Sequence, residues 1–285
     1  MTVRIGVSGW SYDEWSGDFY PEDLPASRRL RYVAERFDTV EANGSFYSLL
    51  TPSAYRSWYD DTPAGFRMAV KGSRFITHNK SLSDARVPLA NFFASGPLAL
   101  KEKLGPILWQ LPERHALDPE RLDFFLSLLP GSFEEAGDLA GQHDDEVEDA
   151  WIETGENHRI RHVLEARHES FRRKEAVRIL RDRDVAMAIS HAGDWERTEE
   201  ITAGFVYLRL HGAPRTYRSG YGDEALDDWA RKIRKWAAGG EPEDALGSTD
   251  LQPPRRKGRD VYVYFDNDTE GRAPYDALAL TERVG

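Results

Sequence analysis

Residues 3–8 read VRIGVS, residues 30–37 read LRYVAERF and residues 38–43 read DTVEAN. The first and third are short runs with branched side chains, which suit a pleated strand. Between them, Leu30, Val33, Ala34 and Phe37 fall at i, i+3, i+4 and i+7, the spacing that gives a helix one apolar face. Strand, amphipathic helix and strand in succession imply parallel pairing, because the crossover must return the chain to the same end of the sheet.

The unit recurs outward along the chain. Eight runs rich in Val, Ile, Phe and Tyr read as strands: Val3 to Ser8, Asp38 to Asn43, Phe66 to Lys71, Pro106 to Leu111, Arg161 to Ala166, Val185 to Ser190, Phe205 to His211 and Val261 to Asn267. Thr51-Pro52 opens a helix between two of them. Asp118-Pro119 opens another over 119 to 129, with Leu122, Phe125, Leu126 and Leu129 as its stripe; in each pair the first residue caps and the proline needs no amide partner. Leu226, Trp229, Ala230, Ile233 and Trp236 form a further stripe ahead of the last strand. The prediction is an α/β fold, a TIM-like (β/α)8 barrel forming a single domain over residues 1–285, irregular after the sixth strand. Such barrels use about 250 residues. An open doubly wound sheet is the rival, but no glycine-rich phosphate turn follows the first strand.

Two segments break the pattern. Ten of the 49 acidic residues lie between Glu134 and His158 with no Lys or Arg among them, so the net charge of −11 comes almost wholly from this stretch. It reads as a solvated, mobile insertion over about 134–158. The glycines and prolines between Ala237 and Arg259 predict a flexible loop over about 237–259. It carries a basic run at Arg255-Arg256-Lys257.

With no cysteine in the chain, disulfides, thiolate metal sites and a thiol nucleophile are excluded. No apolar run approaches a membrane span and the first residues lack the order of a signal peptide, so the expected location is cytoplasmic, with no membrane partner. Gly-x-Ser-x-Gly, P-loop and dinucleotide signatures are all missing, so no nucleotide cofactor is implied. A divalent metal held by residues distant in sequence stays open, but no His-x-His or His-Glu-x-x-His spacing supports one.

In a parallel barrel all strands end at one rim, where the loops build the active site. Here those ends are polar: Ser8 and Trp10, Glu41 and Asn43, Lys71, Gln110, Glu165 with Arg167 and His168, Ser190 with His191, Arg209 with His211, Asp266 with Asn267. Many lie two apart, which places them on one strand face.

These residues resemble a known family. Ser8-Gly9-Trp10-Ser11-Tyr12 with Trp15, Gly17 and Phe19-Tyr20-Pro21, then Val40-Glu41-Ala42-Asn43 with Phe46-Tyr47, is similar to the opening of the YecE-like family, domain of unknown function 72. Phe66 to Lys71 with Thr77-His78, Leu108-Trp109-Gln110-Leu111-Pro112, Glu165-Ala166-Arg167-His168, Arg209-Leu210-His211-Gly212 and Tyr264-Phe265-Asp266-Asn267-Asp268 continue it in order across almost the whole chain. The resemblance implies a TIM-like barrel and assigns no activity. The chain departs from the pattern at Gly44, where a hydroxyl residue is common, at Ala213, where Arg is, and at Asp266 and Asp276, where Asn is.

The residues themselves predict an enzyme that uses acid and base catalysis on a small or medium anionic substrate, carrying phosphate or carboxylate, as a hydrolase, lyase or isomerase. Glu41, Glu165 and His211 are the catalytic candidates. Lys71, Arg167 and Arg209 would hold the anion, since Arg pairs donors to an oxyanion. Asn43, His78, Gln110, His168, Asn267 and Trp10 complete the binding set. A nucleic-acid-binding or nuclease-like protein is one alternative, from the basic loop and the aromatics Trp10, Tyr12, Trp15, Phe46 and Tyr47. A glycoside hydrolase using two glutamates is another. The bland reading of the charged set is an ion-pair network, with Lys71 and Arg167 neutralising the glutamates.

Overall fold

A computed structural model describes residues 1–193 and 195–285. Among these residues there are nine strands: β1 Val3–Ser8, β2 Thr39–Ala42, β3 Arg67–Lys71, β4 Leu104–Gln110, β5 His162–Glu165, β6 Ala186–Met187, β7 Ile189–His191, β8 Phe205–Leu210 and β9 Asp260–Phe265. They stand where the eight runs lie, because the sixth run is interrupted at Ala188 and counts twice. The class is the α/β, TIM-like barrel class that repeated strand and helix units predict. The stretch 192–203, expected to be irregular, has neither helix nor strand among its described residues.

The chain forms two compact units, one of Met1–Glu41 with Arg172–Gly285, the other of Ala42–Phe171. In the first unit β1 pairs with β2 and β9, β9 with β8, and β8 with β7, all parallel. The register sets Ser8 beside Glu41 and Arg209 beside both Ser190 and Tyr264. Helix Arg29–Ala34 turns Leu30 and Val33 inward, as their spacing predicts, and helix Asp223–Ala237 buries Leu226, Trp229, Ile233 and Trp236. In the second unit β4 lies between β3 and β5, also parallel, with Gln110 beside Glu165. Thr51 and Asp118 cap helices Pro52–Asp61 and Pro119–Ser127, accepting the amides of Ala54 and Arg121.

The acidic stretch, expected to be mobile, has a defined anchor. All ten of its acidic residues are exposed. Helix Phe133–Ala140 nonetheless starts on a Ser132 cap and buries Phe133, Ala136 and Leu139. Asn91 binds Asp144 twice, Nδ2 donating to the carboxylate at 2.8 Å and Oδ1 accepting the Asp144 amide at 3.0 Å. The Trp151 amide donates to the Ala94 carbonyl at 2.7 Å. Sequence showed the charge and not the apolar side of the short helix, which is only eight residues long.

The 237–259 segment has no regular structure between the last long helix and β9, and buried charges hold it in place. Glu200 Oε1 accepts the amides of Ser248 at 3.0 Å and Thr249 at 2.7 Å. The Glu199 carboxylate accepts the amide of Leu246 and the ammonium of Lys232. Arg259, at the end of this loop, is buried and donates to the carbonyls of Gly240 and Pro254, both at 2.9 Å.

Candidate functional site

Each unit carries polar groups at the C-terminal ends of its strands. In the first unit, alternation along β8 puts Tyr207, Arg209 and, one residue past its end, His211 on one face. Glu41, at the end of β2, receives them. Its Oε2 accepts the Tyr207 hydroxyl at 2.6 Å and its Oε1 the Ser8 hydroxyl at 2.5 Å. Arg209 donates from Nε at 3.1 Å and from Nη2 at 2.8 Å, the two-point geometry in which a guanidinium binds a carboxylate. Burial and the Glu41 charge push the Tyr207 phenol far above its usual range, so Tyr207 stays a donor.

Arg209 continues to a second acid. Its Nη2 lies 2.8 Å from Oδ2 of Asp266, and that oxygen also lies 2.9 Å from His211 Nδ1. The imidazole is packed between the rings of Trp195 and Tyr217, with centroids at 4.8 and 5.3 Å. Gly212 makes this turn possible: its φ is +90°, and a Cβ there would stand 2.5 Å from the Ser219 carbonyl oxygen. Two residues past Asp266, the Asp268 carboxyl is held well above the usual carboxylate range by burial and by the Asp266 charge. A carboxyl whose proton affinity is raised in this way is suited to donate a proton near neutral pH.

Of the expected residues in this unit, Glu41, Arg209 and His211 belong to one cluster. Arg209, read as an anion clamp, is turned onto Glu41 and Asp266. The ion-pair reading is realised for Glu41 with a partner, Arg209, that the sequence did not suggest for it. Asn267 braces the neighbouring loop: its Nδ2 donates to the Ser219 carbonyl at 3.1 Å and to Asp276 at 2.8 Å. Trp10 is half-buried and its carbonyl accepts the Tyr20 hydroxyl. Trp15, Phe19 and Tyr20 are buried, and with the half-buried Tyr32 they form an aromatic cluster.

In the second unit Glu165 ends β5, fully buried, and accepts Nε and Nη2 of Arg167, each at 3.2 Å. Lys71 ends β3 with its ammonium 4.3 Å from the Phe46 ring centre, a cation–π contact. His78 Nδ1 lies 2.9 Å from the Thr77 hydroxyl, and the ring sits edge-on to Phe46. Burial, then the positive charges of Lys71, Arg114, Arg167 and Arg74, depress its basicity below that of an ordinary histidine. His168 is committed locally, its Nδ1 meeting the Ser170 hydroxyl at 2.8 Å. Gln110 is half-buried beside Glu165, and Asn43 precedes the turn Gly44–Tyr47.

Sequence reasoning missed Tyr207, Asp268 and Arg114 as members of these clusters. For Tyr207 and Asp268 a signal existed, since each lies two residues from a residue already singled out. Arg114 lies in a loop, and nothing local marked it. His162 was also missed. It is a core residue, accepting from Trp109 Nε1 at 3.2 Å and donating from Nε2 to the Pro130 carbonyl at 2.8 Å. Among the described residues no group of three or more His, Asp or Glu side chains is placed to hold a metal ion. None of their helices is long and apolar enough to cross a membrane.

Comparison with known proteins agrees with these motifs. The family described as "Protein of unknown function DUF72" matches residues 4–285. The UPF0759 protein YecE of Escherichia coli K12 is 28% identical over 135 residues, which is 46% of this chain and 46% of that protein; the same figures hold for YecE of Escherichia coli O157:H7. The matched stretch thus spans about half the length of the curated relatives. A DUF72 family structure from Thermotoga maritima aligns over 99% of this chain and 98% of its own, with a TM-score of 0.72 and 21% identity. One from Enterococcus faecalis aligns over 99% and 95%, with a TM-score of 0.68 and 15% identity. At these identities the likeness shows the fold.

Proposed function

The chain belongs to the DUF72 family, and from that premise we propose that it is an enzyme using acid–base chemistry on an anionic substrate that carries phosphate or carboxylate. One observation carries the reading: within the second unit the charges of Lys71, Arg74, Arg114 and Arg167 all act on His78, and the Lys71 ammonium and the His78 ring pack on the same Phe46 ring. A field of cations around a half-buried imidazole attracts an oxyanion and keeps the imidazole neutral at pH 7, the state in which it can accept a proton. The Thr77 hydroxyl holds Nδ1, so Nε2 is the atom assigned to proton exchange. Glu165 orients Arg167, and Lys71 supplies a point charge for the anion. Hydrolysis, elimination and isomerisation all use such a base.

The alternative of a nucleic-acid binder draws less support. Arg259 of the presumed basic loop is buried on backbone carbonyls, and Arg256 lies 4.0 Å from Asp184.

Calorimetric titration with inorganic phosphate and with citrate at low ionic strength tests the reading. Binding should weaken with added salt, and Lys71→Met should weaken it about tenfold, as expected for one charge-assisted contact of ~1.5 kcal/mol or more. No binding of either anion at millimolar concentration overturns it.

A further inference from the structure

The second unit holds a cavity of about 240 Å³ lined by Tyr47, Arg74, Phe75, Asn79 and Glu146, among others. That is smaller than the ~300–1,000 Å³ of pockets that enclose a whole drug-sized ligand, so it suits one ring of a substrate. Two aromatic side chains at this cavity are conspicuously unburied: Tyr47 is 65% and Phe75 42% exposed. Single exposed aromatics are ordinary, but two lining one cavity offer faces on which a planar ring can stack. The Arg74 guanidinium stands 5.8 Å from the Tyr47 ring centre and the Lys80 ammonium 5.7 Å from that of Phe75.

Charge divides the cavity from its surroundings. Glu146 belongs to the acidic stretch, and its backbone is held at the cavity because its amide donates to Asp144 Oδ1 at 3.0 Å while Asp144 is bound by Asn91; its carboxylate is exposed. A carboxylate at the wall repels an anion and accepts hydrogen bonds from ring N–H or amino groups. Arg74 joins the two regions, since it lines the cavity and its charge also acts on His78. The anionic end of a ligand is therefore directed toward the Lys71 and Arg167 side and its neutral, nitrogen-bearing ring toward Tyr47 and Phe75.

We propose that this cavity is a ring subsite, and that the substrate is a planar, nitrogen-bearing aromatic ring joined to a phosphate, of the mononucleotide class. The proposal rests on the anion-binding reading above and narrows it to one class of substrate. It also gives the acidic stretch a role, as the source of the group that selects amino-bearing rings.

The test compares AMP, ribose 5-phosphate, inorganic phosphate and adenosine in calorimetric titrations against the intact chain. AMP should bind at least about fivefold tighter than ribose 5-phosphate, the low end of what stacking one base contributes, ~1 kcal/mol. Tyr47→Ala and Phe75→Ala, at exposed side chains, should each remove much of that advantage and leave ribose 5-phosphate unchanged. Equal binding of AMP and ribose 5-phosphate, or AMP binding indifferent to both substitutions, overturns the ring subsite while the anion reading stands. If no phosphate compound binds but adenosine does, and Tyr47→Ala abolishes it, the anion reading falls and the ring subsite survives. If none of the four binds, both fall.

Discussion

Nδ1 of His211 lies 2.9 Å from Oδ2 of Asp266, and the same oxygen takes Nη2 of Arg209 at 2.8 Å. One carboxylate oxygen thus ties the imidazole to the buried Arg209–Glu41 pair. Glu41 is wholly buried and accepts from three side chains, whereas the Asp266 side chain is partly open to solvent. Glu41→Ala takes from Arg209 its fully buried carboxylate partner and leaves two hydroxyls without their acceptor, and should cost about 3–5 kcal/mol. Asp266→Ala should cost about 1.5–3 kcal/mol, the range for a hydrogen bond to a charged group. Urea unfolding measures both, and the reverse ranking would contradict the geometry.

Asp268 titrates in the opposite sense from a salt-bridged acid. Its carboxyl is held well above the usual value by burial and by Asp266, so the folded protein binds a proton that the unfolded chain has released. Stability from this group is present below the ordinary carboxyl range and is lost as pH rises toward the folded value. Asp268→Asn removes the titration. The variant should exceed the parent in stability at pH 7, and the gap should close toward pH 4 when unfolding is followed across that window.

His162 gives the acid limb. Burial takes its imidazole from 6.5 down to about 4, so the unfolded chain gains the proton first as pH falls. Its contribution is complete above pH 6.5 and disappears between there and about pH 4; at ~1.4 kcal/mol per pKa unit the loss is roughly 3 kcal/mol. His162→Gln can keep an acceptor for Trp109 and a donor for Pro130. Its unfolding free energy should therefore fall less steeply over that interval, and an unchanged slope would exclude His162 as the source.

Glu165 withholds part of Arg167 from any incoming anion. Glu165→Gln removes one negative charge from the cationic face, and phosphate affinity measured by calorimetry should rise several-fold. A fall in affinity would mean that Glu165 itself orients the ligand.

Glu200 anchors residues 248 and 249 through its Oε1, and Arg181 joins it from the side at 3.3 Å. Glu200→Ala should speed proteolytic cleavage between residues 243 and 252 by about tenfold or more, since two amides lose their acceptor together. Cleavage at the parent rate would show that backbone packing alone holds this loop.

The fold was legible because its signals are local. Leu30, Val33, Ala34 and Phe37 declare a buried helix face within eight residues, and the polar residues at each strand end declare the rim. The sixth strand was placed correctly, though its interruption at Ala188 leaves no mark in a run of apolar residues. The roles of charges were less legible. Arg209 looked like an anion clamp because its spacing from His211 shows which strand face it shares, not that Glu41, 168 residues away in sequence, meets it.

Sequence by itself determined the α/β class, the order of strands and the family, since periodicity, capping and motif order are properties of neighbouring residues. Only the tertiary structure decided that Arg209 serves Glu41 and Asp266, and that Arg74 lines the cavity beside Tyr47. The reason is physical. Local patterns follow from the geometry of one helix or strand, whereas partner choice follows from Coulomb energy and desolvation, which depend on distances that exist only once the chain has folded.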